Sequence, residues 1–172
     1  MNDILIRTLQ HEDAAPLLQF ELENRAWFEQ HIAPRAQEFY TPQGVRRHIE
    51  QYLDGHAAGI WHPCIILNGQ GRIVGRANLK DIDRRAVTAE AGYRIASDQT
   101  GKGLATQALR HLIALAEQRW RLRCLLAYVS DDNLASAHVL RKCGFVQGEH
   151  QDGMEIIAGA PRGGHRFIRT SP

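Results

Sequence analysis

The spacing of apolar residues along this chain changes period several times, and each change predicts an element. Asp3–Leu9 reads as a first strand. From His11 to Ile32, Leu17, Leu18, Leu22 and Trp27 fall near helical spacing, with Asp13 placed as an N-cap. Pro34 and Pro42 punctuate a loop. Thr41–His56 predicts a second helix with Val45, Ile49, Tyr52 and Leu53 on one face and Thr41 as its cap. Between Trp61 and Asp83 two apolar runs flank Asn68-Gly69-Gln70-Gly71, the mark of a hairpin. In Ala86–Ala96 the period drops to two: Val87, Ala89, Ala91, Tyr93 and Ile95 share a face, and Gly92 predicts a bulge among them.

A long helix follows from about Lys102 to Arg121, with Leu104, Ala108, Leu112 and Leu115 in step. Leu122–Ser130 reads as a buried strand and Asn133–Gly144 as a short helix closed by Gly144. Phe145–His150 and Gly164–Thr170 read as two closing strands around a glycine-rich loop holding Gly153, Gly159, Gly163 and Gly164. The order of elements predicts a single α/β domain over residues 1–172 with a mixed sheet of about seven strands.

Composition changes this picture little. A hydrophobic share of 44% and a charged share of 23% suit a soluble domain. A net charge of +2 with no dense Lys/Arg stripe gives no case for a nucleic-acid partner. No apolar run is long enough to span a bilayer, and the N-terminus lacks a signal peptide's apolar centre, so a cytoplasmic protein without a membrane partner is expected. Cys64, Cys124 and Cys143 are odd in number and far apart, which points to reduced thiols. The histidines show no HxH or HExxH spacing, and no metal is expected.

The chemistry concentrates at Gly101-Lys102-Gly103, between the alternating strand and the long helix. Glycines there free the backbone, and the helix start turns its unpaired N–H groups and positive dipole end toward the same space. That arrangement suits an anion, though a plain loop-to-helix turn needs the same two glycines. A Walker A loop is excluded, because Ala96 stands where its first glycine belongs and Gly103, not Ser or Thr, follows Lys102. A dinucleotide fingerprint is excluded too: the run ends in Thr106, and the nearest acid, Glu117, falls inside the helix.

"GYRIASDQTGKGLATQAL" followed by "SDDNLASAHVLRKCGFV" resembles the acetyl-CoA site of the GNAT N-acetyltransferases, and more narrowly the RimJ/RimL-like ribosomal-protein N-terminal acetyltransferases. "ENRAWFEQHIAPR" (Glu23–Arg35) is similar to an early element of that group. The resemblance implies a GNAT fold, a mixed sheet with a central bulge and splay and helices on both faces. It implies acetyl-CoA as co-substrate, its pyrophosphate held by the backbone of Thr100, Gly101, Lys102, Gly103, Leu104, Ala105 and Thr106 with Gln99 beside them. Tyr93, Arg94 and Ile95 would pair with the pantetheine arm and supply an oxyanion N–H, while Asn133 and Ser136 face the thioester from the other side. The acceptor implied is a primary amine, foremost a protein N-terminus, on a monomer or homodimer. A small-molecule amine and a non-catalytic coenzyme-binding module are the alternatives.

Two positions depart from the family pattern. Asp98 stands where Arg or Gln is common, and a carboxylate there would repel a pyrophosphate, so it is expected to point away. Leu140 stands where many members carry the Tyr that protonates the departing thiolate, which shifts that role to Ser136 or water. Glu90, on the face with Thr88 and Arg94, is the candidate base, although a solvated strand glutamate explains it equally well, with Glu149 and His150 behind it. Glu21 and Glu23 would suit a cationic amine, although a solvated helix face explains them equally well. His138 and Lys142 could reach a coenzyme phosphate, though charges on a helix surface are commoner, and Trp27, Trp61 and Trp120 read as core or cleft wall.

Overall fold

The computed structural model describes residues 4–171; Asp3, the expected start of the first strand, lies outside the described residues. Strands β1 (Leu5–Thr8), β2 (His62–Leu67), β3 (Ile73–Asp83), β4 (Thr88–Ile95), β5 (Cys124–Ser130), β6 (Val146–Ile157) and β7 (Ala160–Thr170) form one sheet in the order β1-β2-β3-β4-β5-β7-β6. Helices α1 (Ala14–Glu23), α2 (Arg25–Phe28) and α3 (Pro42–Ala57) cover one face, and α4 (Leu104–Ala114) and α5 (Leu134–Lys142) the other.

The sequence pattern explains the layering. In β2 the run Cys64-Ile65-Ile66 does not alternate because both of its faces are covered. Ile65 packs with Leu17, Phe20, Val45 and Ile49, while Cys64 and Ile66 pack with Leu104, Leu109 and Leu112. In β4, Ala89, Ala91 and Ile95 go to the α4 side, so Glu90, Gly92 and Arg94 face the other way. Helix α3 starts where its cap predicts, with the Thr41 hydroxyl accepting from Gly44 N at 3.0 Å.

Five local expectations are corrected. The first helix breaks at Asn24, whose side chain donates to Phe20 O at 2.9 Å and accepts from Ser97 N at 2.9 Å. Asp13 does stand at the N-cap position of α1, but its side chain makes no capping bond there; its carboxylate takes Arg7 at 2.7 and 2.9 Å and the Gln10 N–H at 2.8 Å. The β3–β4 ladder runs through the Asn78–Gly92 pair without a shift, so no bulge lies at Gly92; the irregularity sits between Lys80 and Asp83. The expected glycine-rich loop is instead the heart of a long hairpin. β6 and β7 continue to a tight turn at Ala158 and Gly159, both with positive φ, and two register shifts in β6 absorb its extra residues. The long helix also ends in a π-turn over Leu115–Arg119, after which Trp120 Nε1 donates to His62 Nδ1 at 2.9 Å.

Candidate active site

The sheet opens along its parallel seam. β4 and β5 pair only at Thr88–Cys124, Ala89–Leu125 and Glu90–Leu126. Beyond Glu90, β4 continues beside β3 and β5 beside β7, and the two part. Val87 O accepts from Arg123 N and Cys124 N toward β5, while Ala96 N donates to Val74 O toward β3. Alternation along the strand therefore turns the N–H and C=O groups of Ala91, Tyr93 and Ile95 into the gap. Trp27 Nε1 closes the far end by donating to Ile95 O at 3.3 Å.

The glycine turn lies at that end. Gly101 and Gly103 have φ of +74° and +79°, the left-handed region in which a side chain is strained. A Cβ at either would meet nothing within 4 Å, so backbone conformation, not crowding, demands glycine and the space above stays open. Gly103 is the N-cap of α4 and brings no side chain to cap it, which leaves the amides of Leu104, Ala105 and Thr106 available to an anion. A cavity of about 650 Å³ runs from these amides along Tyr93, Arg94 and Ile95 to Asn133 and Ser136 on the first turn of α5.

Gln99, Thr100, Gly101, Gly103, Leu104, Ala105 and Thr106 all line this cavity. The Lys102 side chain does not: its ammonium folds back onto Asp98 O at 2.9 Å and Gln99 Oε1 at 3.3 Å, so only its backbone faces the turn. Asp98 points away toward Arg72, 3.6 Å distant. Asn133 caps α5, its Oδ1 accepting from Ser136 N at 3.2 Å, which leaves its amide N–H groups as the donors it can offer a ligand. The Ser136 hydroxyl lies 2.9 Å from that of Tyr93.

A second cavity, of about 520 Å³, approaches from the other face. The two cavities share His31, Ile32, Tyr93, Arg94, Asn133 and Ser136, so a path leads through the sheet at the seam. Glu90, Lys80 and Asn78 line its floor and Gln151, Met154 and Glu155 of β6 its wall. Burial raises the Glu90 carboxyl above its ordinary range; Lys80 opposes this, and Asp81 and Glu155 add to it. His31 Nδ1 and Asn78 Oδ1 are buried without a hydrogen-bond partner among the described residues, two polar atoms in want of a ligand. Gly92 opens onto the same space, with nothing within 4 Å of where a Cβ would stand.

Several candidate residues lie elsewhere. Glu21 is fully buried and held by Arg76 at 2.9 Å, Arg94 at 3.0 Å and Arg35 at 3.6 Å. Burial alone would raise its carboxyl, but Arg94, Arg76 and Arg35 together keep it below the ordinary range. It is a structural ion and not a lure for amines. Glu23 pairs with Arg72 at 2.8 Å, outside both cavities. His150 binds Asp131 at 2.8 Å on the outer hairpin, and neither it nor Glu149 reaches the seam. His138 lines the cavity at the glycine turn and Lys142 does not. The sequence reading missed Glu155, His31 and the Tyr93 hydroxyl. Glu155 carries no signal in the sequence, because the glycines around it read as a loop and not as the strand that holds it.

Among the described residues no group of three His, Cys, Asp or Glu side chains is placed to hold a metal, and no helix is long and apolar enough to cross a membrane. The model of the family described as "Acetyltransferase (GNAT) domain" matches residues 3–146. The Probable N-acetyltransferase YjcK of Bacillus subtilis is 34% identical over 153 residues, which cover 88% of this chain and 82% of that protein. Among the solved structures that share the fold are two ribosomal-protein or RimJ acetyltransferases. The ribosomal-protein-S5-alanine acetyltransferase from Vibrio fischeri superposes with a TM-score of 0.93 at 21% identity, covering 99% of this chain and 96% of that one. Mycobacterium smegmatis RimJ in complex with CoA-disulfide does so with a TM-score of 0.90 at 22% identity, covering 98% and 82%.

Proposed function

The chain belongs to the GNAT acetyltransferase family, with its likeness running to the RimJ/RimL-type ribosomal-protein N-acetyltransferases, and from that premise we propose that it moves an acetyl group from acetyl-CoA to the N-terminal α-amine of a protein or peptide. The observation that carries this reading is the path through the sheet, with an anion-ready turn on one side and a carboxylate-bearing cavity on the other.

On this reading the coenzyme pyrophosphate rests on the amides from Thr100 to Thr106 and its pantetheine arm pairs with the gap-facing groups of Tyr93 and Ile95. The amine enters from the second cavity. Its nitrogen attacks the thioester carbonyl, and a gap-facing N–H of β4 meets the developing oxyanion. Glu90 takes the amine's proton directly or through a water, with Glu155 beside it. The hydroxyls of Ser136 and Tyr93 stand on the coenzyme side, toward the departing sulfur. No acyl-enzyme is needed. Cys64 is buried with its thiol pushed up to about 12, and neither it nor Cys124 nor Cys143 lines either cavity.

Proton chemistry favours the α-amine. With a pKa of about 7.8, against about 10.4 for lysine, roughly a third of it is neutral at pH ~7.5, against about 0.1% of the lysine amine. The unpartnered His31 Nδ1 and Asn78 Oδ1 suit the amides of a peptide behind its first residue. The name of the Vibrio fischeri protein, a ribosomal-protein-S5-alanine acetyltransferase, supports the same acceptor class. A small-molecule amine is the second reading, favoured by the two carboxylates, Glu90 and Glu155, that face one cavity. The test is mass spectrometry of a peptide bearing both a free N-terminus and an internal lysine after incubation with acetyl-CoA. Acetyl is expected on the N-terminus; acetyl mainly on the lysine, or turnover only with a polyamine or aminoglycoside, overturns the reading.

A further inference from the structure

We propose that Tyr93 is the general acid of the transfer, its hydroxyl delivering the proton to the coenzyme thiolate while Ser136 donates a hydrogen bond to the phenolate left behind. The inference rests on the acetyl-transfer reading above. It assigns to β4 a role that the sequence reading placed on Ser136 or on water.

Position comes first. Tyr93 belongs to the alternating set whose side chains turn toward α4 and α5, and its ring packs against the core on that side. Its hydroxyl is 2.9 Å from Ser136 Oγ, and both residues line both cavities. The pair therefore bridges the gap at the point where coenzyme and acceptor meet. Leu140 also lines the second cavity but carries no proton to give. Tyr128, the other phenol on a cavity wall, sits on β5 between Ala127 and Val129, which turn to the α4 side; its own side chain faces away from the coenzyme.

Acidity comes second. A thiol has a pKa of about 8.5 and a phenol of about 10, close enough for proton transfer in the transition state. An aliphatic alcohol such as Ser136 is a far weaker acid and matches the thiolate poorly. Burial raises the Tyr93 pKa, and the Ser136 hydrogen bond opposes that rise. The phenol thus stays protonated at neutral pH, and Ser136 lowers the cost of its ionisation.

The step balances without another reactant. The amine nitrogen forms a bond to the carbonyl carbon, the carbon–sulfur bond breaks, and its electron pair goes to sulfur. The Tyr93 proton moves to that sulfur, giving free thiol. The proton lost by the amine goes to Glu90 or water, and solvent returns one to Tyr93 once the thiol leaves.

The experiment measures kcat and kcat/KM against pH for the full chain and for Tyr93→Phe, Ser136→Ala and Tyr128→Phe, with acetyl-CoA and a peptide amine, following released thiol. Acetyl-CoA binding by thermal shift shows whether each variant is folded. Tyr93→Phe is expected to bind acetyl-CoA, to lose about 10²–10⁴-fold in kcat and to lack the descending alkaline limb. Ser136→Ala keeps that limb, displaced to higher pH, and Tyr128→Phe keeps it in place. A near-normal kcat in Tyr93→Phe, an alkaline limb that survives in it, or a limb that vanishes in Ser136→Ala or Tyr128→Phe instead overturns the assignment. Absence of thiol release by the unmodified chain with any amine would sink the acetyl-transfer reading itself, a different result from active wild type beside an unimpaired Tyr93→Phe.

Discussion

At Gly103 two demands meet in one residue. The backbone must be left-handed, and nothing may project where a phosphate would sit; only glycine satisfies both. Gly103→Asp violates both demands and adds a negative charge at the positive end of α4. A ligand at about 100 times its dissociation constant stabilises a fold by roughly 2.7 kcal/mol, and the wild-type chain should show a thermal shift of that order with acetyl-CoA. Gly103→Asp should show none. A normal shift in that variant would remove the turn from the coenzyme site. Lys102, beside it, has a different weight: its ammonium is already spent on Asp98 O and Gln99, so the charge that the sequence sets between the glycines is turned away from the ligand.

Asn24 acts between elements. It ends α1, starts α2 and ties both to Ser97, a few residues before the glycine turn, through its Oδ1. Its own Nδ2 satisfies Phe20 O, so the buried amide has partners on both ends. Through Asn24 the α2 segment, whose Trp27 closes the gap at Ile95, is held in register with the strand it closes. Asn24→Ala leaves Ser97 N and Phe20 O without these partners and should cost about 1–3 kcal/mol in urea unfolding. It should also raise the KM for acetyl-CoA more than it lowers kcat, because it loosens the wall of the cavity at the glycine turn and not the residues around Glu90 and Ser136. A KM that stays put while stability falls would confine Asn24 to folding.

Across the molecule, Glu21 joins α1 to β3 through Arg76, to β4 through Arg94 and to the loop before α3 through Arg35. Burial pushes Arg94 down to about 10, and the same burial with Arg76 drives His48 down to about 2, so His48 stays neutral and adds no charge. Removing the one carboxylate leaves three guanidinium groups facing one another. Glu21→Gln should therefore cost about 3–5 kcal/mol at neutral pH. The sign of its pH dependence follows from the depressed folded-state pKa. The contribution is whole above the unfolded value of about 4.3 and is lost as pH falls through the lower folded value. Urea unfolding of wild type and Glu21→Gln from about pH 7 down to about pH 3 should show the gap between them closing at the acid end. A gap that widens on acidification would contradict this account of the cluster.

What the sequence by itself determined is local. The Thr41 cap, the Asn68–Gly71 turn, the period-two strand through Tyr93, the glycine turn before α4 and the short helix closed by Gly144 each depend on neighbours within a few residues, whose preferences act before any tertiary contact forms. The GNAT likeness was legible for the same reason, since its motifs are short and contiguous. The length of the β6–β7 hairpin was not legible, because glycines in a strand read as loop until register shifts and a partner strand absorb them. Nor were the chemical pairings. Tyr93 meets Ser136 across 43 residues, Arg76 meets Glu21 across 55 and Arg94 meets Glu21 across 73. Such contacts are set by how β4 parts from β5 and how α1 lies on β3, and no periodicity encodes them. Only the folded sheet decides that Glu21, an acid on a helix, is a buried ion, and that a strand tyrosine and a helix serine face one opening.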